Sequence, residues 1–80
     1  MPKVFKVLSG KEVVKILEIC GFSFKSQSGS HIKMSITKSG AETVVIVPNH
    51  TELREGTMRA IRRQATQAVA VEGIDKYFKN

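Results

Sequence analysis

The sequence predicts a small α+β domain in which a three-stranded antiparallel sheet carries helices on one face, in the order α-β-β-β-α. Three observations indicate this fold class. Apolar residues recur at helical spacing towards both ends of the chain, they alternate with polar residues in the middle, and glycine-containing turns separate the alternating segments. Helices packed on one face are the simplest way to bury such a sheet. At 80 residues, the chain is long enough for one domain, which we expect to span residues 1–80.

The first helix is predicted between Gly10 and Cys20. Ser9 and Glu12 have the spacing of a capping box, in which each side chain binds the backbone amide of the other residue. The apolar stripe of this helix consists of Val13, Ile16, Leu17 and Cys20. Gly21 follows, where a C-cap glycine is expected. The residues ahead of the helix, 1–8, are expected to form a short extended lead-in.

Three strands are expected in the middle of the chain, at Phe22–Gln27, His31–Thr37 and Thr43–Val47. Apolar and polar residues alternate in the first two, and the third is rich in β-branched residues. The turn of the second hairpin, at Lys38–Ala41, contains Ser-Gly, and Pro48 ends the third strand.

The register of the second hairpin follows from pairing its apolar residues across a turn centred between Ser39 and Gly40. The pairs expected on the core face are Ile32 with Val47, Met34 with Val45 and Ile36 with Thr43. Since side chains alternate between the two faces, His31 and Lys33 are directed to the other face. His50, two residues beyond Pro48, is expected to be a neighbour of His31 across the hairpin. The other residues expected on that face are Ser35, Val44 and Ile46.

The first hairpin is predicted to have a three-residue loop over Ser28–Ser30. Such a loop sets Phe24 against Met34, whereas a two-residue loop would set Phe24 against Lys33. Because apolar residues pair with apolar residues across a half-buried sheet, we expect three residues in the loop and a core position for Phe24.

A second helix is predicted to begin at Thr57, which is placed to cap it. Its apolar stripe consists of Met58, Ile61 and Ala65, and a basic ridge on the opposite side consists of Arg59, Arg62 and Arg63. Arg59 and Arg62 reach phosphates if this helix flanks the sheet, and otherwise form an ordinary solvated helix face. A break at Gly73 is expected before a short last helix, which docks through Ile74, Tyr77 and Phe78.

The composition indicates a basic protein with a polyanionic partner. Thirteen Lys and Arg residues against seven Asp and Glu residues produce a formal net charge of +6, which suits nucleic acid or an acidic protein. The one cysteine, Cys20, excludes an intrachain disulfide, and we expect a small buried side chain in a cytoplasmic protein. No apolar run is long enough to span a membrane, and no phosphate-loop or dinucleotide motif is present, so no cofactor is expected.

His31 is the first candidate for chemistry, because imidazole exchanges protons near neutral pH. In RNA cleavage a base removes the proton of a ribose 2′-hydroxyl, that oxygen attacks the phosphorus, and an acid protonates the departing 5′-oxygen. His50 is a candidate second acid or base, or else a polar cap on its loop. Two histidines and one cysteine do not form a dedicated ligand set, so we expect no metal and a metal-independent mechanism. The alternative for His31 is a surface histidine without a role.

Positive groups around His31 are expected to hold the phosphate. Lys33 lies on the same strand and Lys25 on the strand before it. The loop amides near Gly29 and Ser30 are further candidates for phosphate contacts. Gly29 also has a simpler role, since glycine permits a positive φ in the turn.

Four segments of the sequence stand in an order that resembles one known family. They are LEICGF (Leu17–Phe22), GSHIKM (Gly29–Met34), VVIVPNH (Val44–His50) and REGTMRAI (Arg54–Ile61). Taken together, they resemble the HicA (YcfA-like) toxins of toxin–antitoxin systems.

The resemblance implies an mRNA interferase with a fold like that of double-stranded-RNA-binding domains. The histidine of the family's Gly-Ser-His motif is catalytic and matches His31, and the glycine ahead of it matches Gly29. A HicB antitoxin would cover this histidine and hold the toxin inactive. Glu55 departs from the family pattern, in which lysines are common just ahead of the position of Gly56.

Two other functions are compatible with the sequence. A non-catalytic RNA-binding module of the same fold would bind RNA in a salt-dependent way without cleaving it. An interaction protein would use its basic face to hold an acidic partner and would bind RNA weakly. Cleavage of RNA is the observation that separates the toxin from both.

Overall fold

The structure, a computed structural model, describes residues 5–80 and confirms the predicted fold class. Its elements are α1 (Gly10–Ile19), β1 (Ser23–Ser28), β2 (His31–Lys38), β3 (Ala41–Pro48), α2 (Glu55–Ala65) and α3 (Val71–Phe78). The strands form one antiparallel sheet in the order β1-β2-β3. The first half of the expected lead-in lies outside the described residues, whereas Phe5 forms a bridge with Lys79 and is buried.

The second hairpin has the predicted register. β2 pairs with β3 along its whole length, with His31 opposite Pro48. Ser39 and Gly40 form the turn with positive φ angles of 52° and 81°, which suit a tight two-residue hairpin turn. The residues that this register directs to the core are buried, namely Ile32, Met34, Val45 and Val47. The opposite face of the sheet is called the open face below and carries His31, Lys33, Ser35, Val44, Ile46 and Pro48.

The first hairpin turns over only two residues, Gly29–Ser30, so the prediction of a three-residue loop is wrong. Phe24 nevertheless faces Met34, as expected. The two facts are compatible because a β-bulge at Lys25 adds one residue to β1 and absorbs the offset.

Phe24 does not join the core, contrary to the prediction, and 57% of its surface is exposed. β1 is an edge strand, and all six of its residues are exposed. The helices α1 and α2 both contact β3, which is the strand at the opposite edge of the sheet from β1. The burial that the helices provide therefore falls on β2 and β3 and leaves β1 largely uncovered.

The start of α1 is fixed against the end of β3. The predicted capping box is present, since the Ser9 hydroxyl accepts from the Glu12 amide at 3.1 Å and the Glu12 carboxylate accepts from the Ser9 amide at 2.8 Å. The Gly10 amide donates to the carbonyl oxygen of His50 at 2.9 Å. Only glycine fits there, because a Cβ on Gly10 would lie 2.1 Å from the carbonyl oxygen of Pro48.

The helices near the C-terminus differ from the prediction in their limits. α2 begins at Glu55, so Thr57 lies inside its first turn and does not cap it. α3 continues through Gly73, so the predicted break there is wrong. Ile74 and Phe78 dock in the core as expected, and their burial outweighs the glycine cost of about 1 kcal/mol. None of the helices within residues 5–80 has the length and hydropathy needed to cross a membrane.

Candidate functional site

His31 is the first residue of the central strand and is exposed on the open face. Its neighbours across the strands are Ser28 on β1 and Pro48 on β3. Ile32, the next residue, is buried, and since side chains alternate between faces, the imidazole is directed away from the core. A ligand therefore reaches this ring without any opening of the fold.

Lys33 shares the open face with His31. It lies two residues along β2, opposite Ser26 on β1 and Ile46 on β3, and it is exposed. Ile46 is 40% exposed, so an apolar row runs beside the lysine on β3. The open face thus presents an imidazole and an ammonium between small hydroxyl residues on one side and apolar residues on the other.

The Gly29–Ser30 turn is tied to its surroundings through its carbonyl groups. The Gln27 side-chain amide donates to the carbonyl oxygen of Gly29 at 3.0 Å. The Asn49 backbone amide donates to the carbonyl oxygen of Ser30 at 2.6 Å. Gly29 has a φ of 59° with open space where a Cβ would stand, so the position favours glycine for its backbone angle and not for lack of room. The turn that precedes His31 is therefore held firmly beside the end of β3.

His50 lies two residues beyond the end of β3. It lines a depression of about 280 Å³ whose walls are Ser9, Lys11, Asn49, His50 and Thr51. No hydrogen bond joins the two imidazoles among the side-chain hydrogen bonds of the described chain. The backbone brings the two residues near each other through the contact of Asn49 with Ser30.

Lys25 is directed away from His31. Its Nζ binds both carboxylate oxygens of Glu42, at 2.7 and 2.9 Å, and it lowers the pKa of this carboxyl below its ordinary value. Glu42 pairs with Thr37, which lies six residues along β2 from His31, or roughly 20 Å. The structure therefore does not bring Lys25 to the candidate catalytic residue.

Arg62 faces α3 and not the sheet. Its Nε and Nη2 donate to the two carboxylate oxygens of Asp75 at 2.6 and 3.0 Å, and both side chains are half-buried. The Arg62 guanidinium lowers the pKa of Asp75, with a smaller effect of Lys79 in the same direction. Gln64, about 200° further round the helix, accepts from the Ile46 amide at the edge of β3. Arg62 therefore joins α2 to α3, and its contact with RNA phosphate stays a prediction.

Arg59 forms an ion pair with Glu55 one turn earlier in α2. Both side chains are exposed, so the pair is weak and an anion can displace it. Of the residues predicted for the site, the structure brings together His31, Lys33, Gly29 and Ser30, with His50 nearby. It places Lys25, Arg59 and Arg62 against acidic side chains elsewhere.

Three residues that line the depression were missed by the sequence reasoning, namely Lys11, Asn49 and Thr51. Lys11 is visible in the sequence only as a residue off the apolar stripe of α1. Lys11 lies beside the end of β3 because Gly10 packs closely against Pro48 in the folded chain. No local sequence pattern indicates this contact. In the part of the chain that the structure describes, no three His, Cys, Asp or Glu side chains are grouped as metal ligands.

Comparison with known proteins identifies the family. The family model described as the HicA toxin of bacterial toxin–antitoxin systems matches residues 10–66, from the first residue of α1 to just past the end of α2. The match includes the whole sheet, the turn at Gly29–Ser30, and both histidines. No curated protein and no solved structure matches the chain. Since the family match covers well over half of the chain, this protein belongs to the HicA toxins of bacterial toxin–antitoxin systems.

Proposed function

We propose that this toxin is a metal-independent endoribonuclease that cleaves mRNA, with His31 as its general acid or base. One observation carries the proposal. The imidazole of His31 stands exposed on the central strand, in line with the ammonium of Lys33, in the segment that matches the toxin family. An exposed acid–base group beside a positive charge can provide proton transfer and charge stabilisation in the cleavage of a phosphodiester next to a 2′-hydroxyl.

The reaction proceeds by attack of the ribose on its own phosphate. A base removes the proton of the 2′-hydroxyl, the 2′-oxygen bonds to phosphorus, and the bond from phosphorus to the 5′-oxygen breaks as that oxygen gains a proton. The products are a 2′,3′-cyclic phosphate and a free 5′-hydroxyl. His31 supplies or removes one of these protons, solvent water exchanges the other, and Lys33 stabilises the charge that develops on the phosphate oxygens.

The partner proposed for the open face is an antitoxin of the HicB type. Membership of the family indicates a toxin–antitoxin pair in general terms. The half-buried Val44 and Pro48 and the more exposed Ile46 lie in a row on the open face beside Lys33. An apolar row with adjacent cations is suited to a partner that has apolar groups flanked by acids. Such a partner would cover His31 and prevent cleavage.

The proposal is tested by incubating the purified protein with single-stranded RNA in excess EDTA and identifying the ends of the products. The proposal predicts cleavage in EDTA, with cyclic phosphate and 5′-hydroxyl ends. Cleavage that requires added Mg²⁺, or that leaves 5′-phosphate ends, would contradict the mechanism. RNA binding without cleavage would indicate the non-catalytic module instead.

A further inference from the structure

We propose that the depression formed by Ser9, Lys11, Asn49, His50 and Thr51 binds the backbone phosphate of a nucleotide that neighbours the cleaved bond in the same RNA strand. The inference rests on the proposed function in one respect only, which is that RNA lies across His31. The proposed site is a second contact for RNA, in addition to His31, and lies between the start of α1 and the segment after β3.

The depression lies directly beside the candidate catalytic turn. Pro48, the cross-strand neighbour of His31, is followed at once by Asn49 and His50. The Asn49 amide binds the Ser30 carbonyl at 2.6 Å, and the His50 carbonyl accepts from Gly10 at 2.9 Å. The segment after β3 is therefore fixed on one side to the turn before His31 and on the other side to the start of α1. A nucleic-acid strand that leaves His31 towards this end of the sheet meets the depression next.

The chemistry of the walls suits a phosphodiester. The five lining residues are polar or cationic, and Lys11 is exposed and forms no ion pair with another of the described residues. The nearby acid Glu12 has its carboxylate bound to the Ser9 amide at 2.8 Å, and Glu52 lines a different groove, with Phe5 and Leu53. An ammonium with amide and hydroxyl neighbours is a common phosphate-binding set.

The backbone amides at the N-terminus of α1 are not the groups proposed to bind the phosphate. The Glu12 amide already donates to the Ser9 hydroxyl at 3.1 Å, and the Gly10 amide donates to His50. Two of the amides that a free helix N-terminus would offer to an anion are thus taken by the chain. The side chains of Lys11 and Thr51 are left to make the contact, which makes the proposal testable by substitution.

The test compares Lys11→Ala with Lys15→Ala, which removes an exposed lysine from the next turn of α1, outside the depression. Binding of a short fluorescein-labelled single-stranded oligoribonucleotide is measured by anisotropy over a series of salt concentrations. Lys11→Ala is expected to weaken binding and to reduce the slope of log K against log salt by about 0.7, the effect of one phosphate contact on a single strand. Lys15→Ala is expected to change neither.

A neutral substitution in the same wall, Thr51→Val, is expected to weaken binding about threefold through loss of a hydrogen bond while the salt slope stays as in the unmodified protein. Equal slopes for Lys11→Ala and Lys15→Ala would overturn the inference, and so would an unmodified protein that does not bind the oligonucleotide. Thermal unfolding by circular dichroism confirms that each variant is folded.

The binding assay separates this inference from the proposed function. If the unmodified protein binds RNA through Lys11 but never cleaves it, the phosphate site stands and the endoribonuclease proposal fails. If the protein cleaves RNA while Lys11→Ala and Lys15→Ala bind it alike, the endoribonuclease proposal stands and the phosphate site fails.

Discussion

The exposure of His31 depends on one residue of register. Because the side chains of a strand alternate, a slip by one position would exchange His31 with the buried Ile32. Met34 and Val45, which face each other and are fully buried, hold the register in place. This part of the site was predictable, since only one pairing of the second hairpin joins apolar residues to apolar residues.

The surroundings of Lys25 were not predictable in the same way. Its direction depends on a bulge in β1 and on Glu42, an acid two strands away. Alternation specifies which face a residue occupies, but it does not specify the partner of a long, flexible side chain. The sequence therefore indicated a lysine near the strand of His31 without indicating that its side chain lies at the far end of that strand.

Substitution of the two lysines should have unequal effects on RNA cleavage. Lys33→Ala removes the charge beside His31, and we expect the cleavage rate at saturating RNA to fall at least about tenfold, as loss of one stabilising group does elsewhere. Lys25→Ala, the matched control, breaks an exposed pair with Glu42 and should leave the rate nearly unchanged. A larger loss for Lys25→Ala than for Lys33→Ala would contradict the placement of the site.

At the level of elements, the first hairpin shows where pattern reasoning reached its limit. Pairing of Phe24 with Met34 was correct, but the loop length deduced from it was wrong, because a bulge satisfies the same pairing with a shorter turn. Burial of Phe24 was also wrong, since it depends on where the helices lie across the sheet. Neither property is encoded in the alternation of a single strand.

The contact of α1 with β3 predicts opposite outcomes for two glycine substitutions. Gly10→Ala places a methyl group 2.1 Å from the Pro48 carbonyl oxygen, and we expect the free energy of unfolding to fall by about 2 kcal/mol or more. Gly73→Ala has open space around the new methyl group within α3, and we expect a gain of up to about 1 kcal/mol. Urea unfolding measures both values, and a stabilising Gly10→Ala would refute the close approach.

The ion pair between α2 and α3 predicts a pH-dependent effect. The pKa of Asp75 is lowered chiefly by its hydrogen bond to Arg62, so the stabilisation is complete above the ordinary carboxyl pKa of about 4 and is lost as the pH falls through the lowered value. We expect Asp75→Asn to reduce the free energy of unfolding by about 1 kcal/mol at neutral pH. This value is small because both side chains of the pair are partly exposed to solvent, which screens the charges. The difference from the unmodified protein should shrink in acid.

Arg59→Ala is the control for this measurement. Its pair with Glu55 is exposed and lies within one helix, so the expected change is below about 0.5 kcal/mol. If Asp75→Asn costs no more than Arg59→Ala at neutral pH, the contact does not join the two helices as described.

At the scale of the whole molecule, the net charge is +6. Of the five cations predicted or proposed to bind RNA, three are paired with acidic side chains of the described chain and two are not. Glu42, Glu55 and Asp75 lie against Lys25, Arg59 and Arg62. Lys11 and Lys33 have no ion-pair partner among residues 5–80. Of these five cations, the two whose positive charge stays free for a polyanion in the described chain are therefore the ones near the end of the sheet that carries His31.

The fold as a whole was predictable because its local signals agree. The capping box at Ser9, the alternation in β2 and the apolar stripe of α2 each indicate the element that is observed. The candidate site was predictable where it lies on one strand, at His31 and Lys33. The proposed phosphate site was not predictable, because it depends on segments that folding brings together, as at Lys11 and Asn49.

The most direct test of the central claim is the single-turnover rate of RNA cleavage in EDTA, at saturating RNA, for His31→Gln beside Lys15→Gln. Both variants replace an exposed basic side chain by an amide. We expect a fall of at least about 100-fold for His31→Gln, the usual contribution of a general acid or base, and a rate close to that of the unmodified protein for Lys15→Gln, since Lys15 lies outside the depression. Cleavage by His31→Gln at the unmodified rate would contradict the claim.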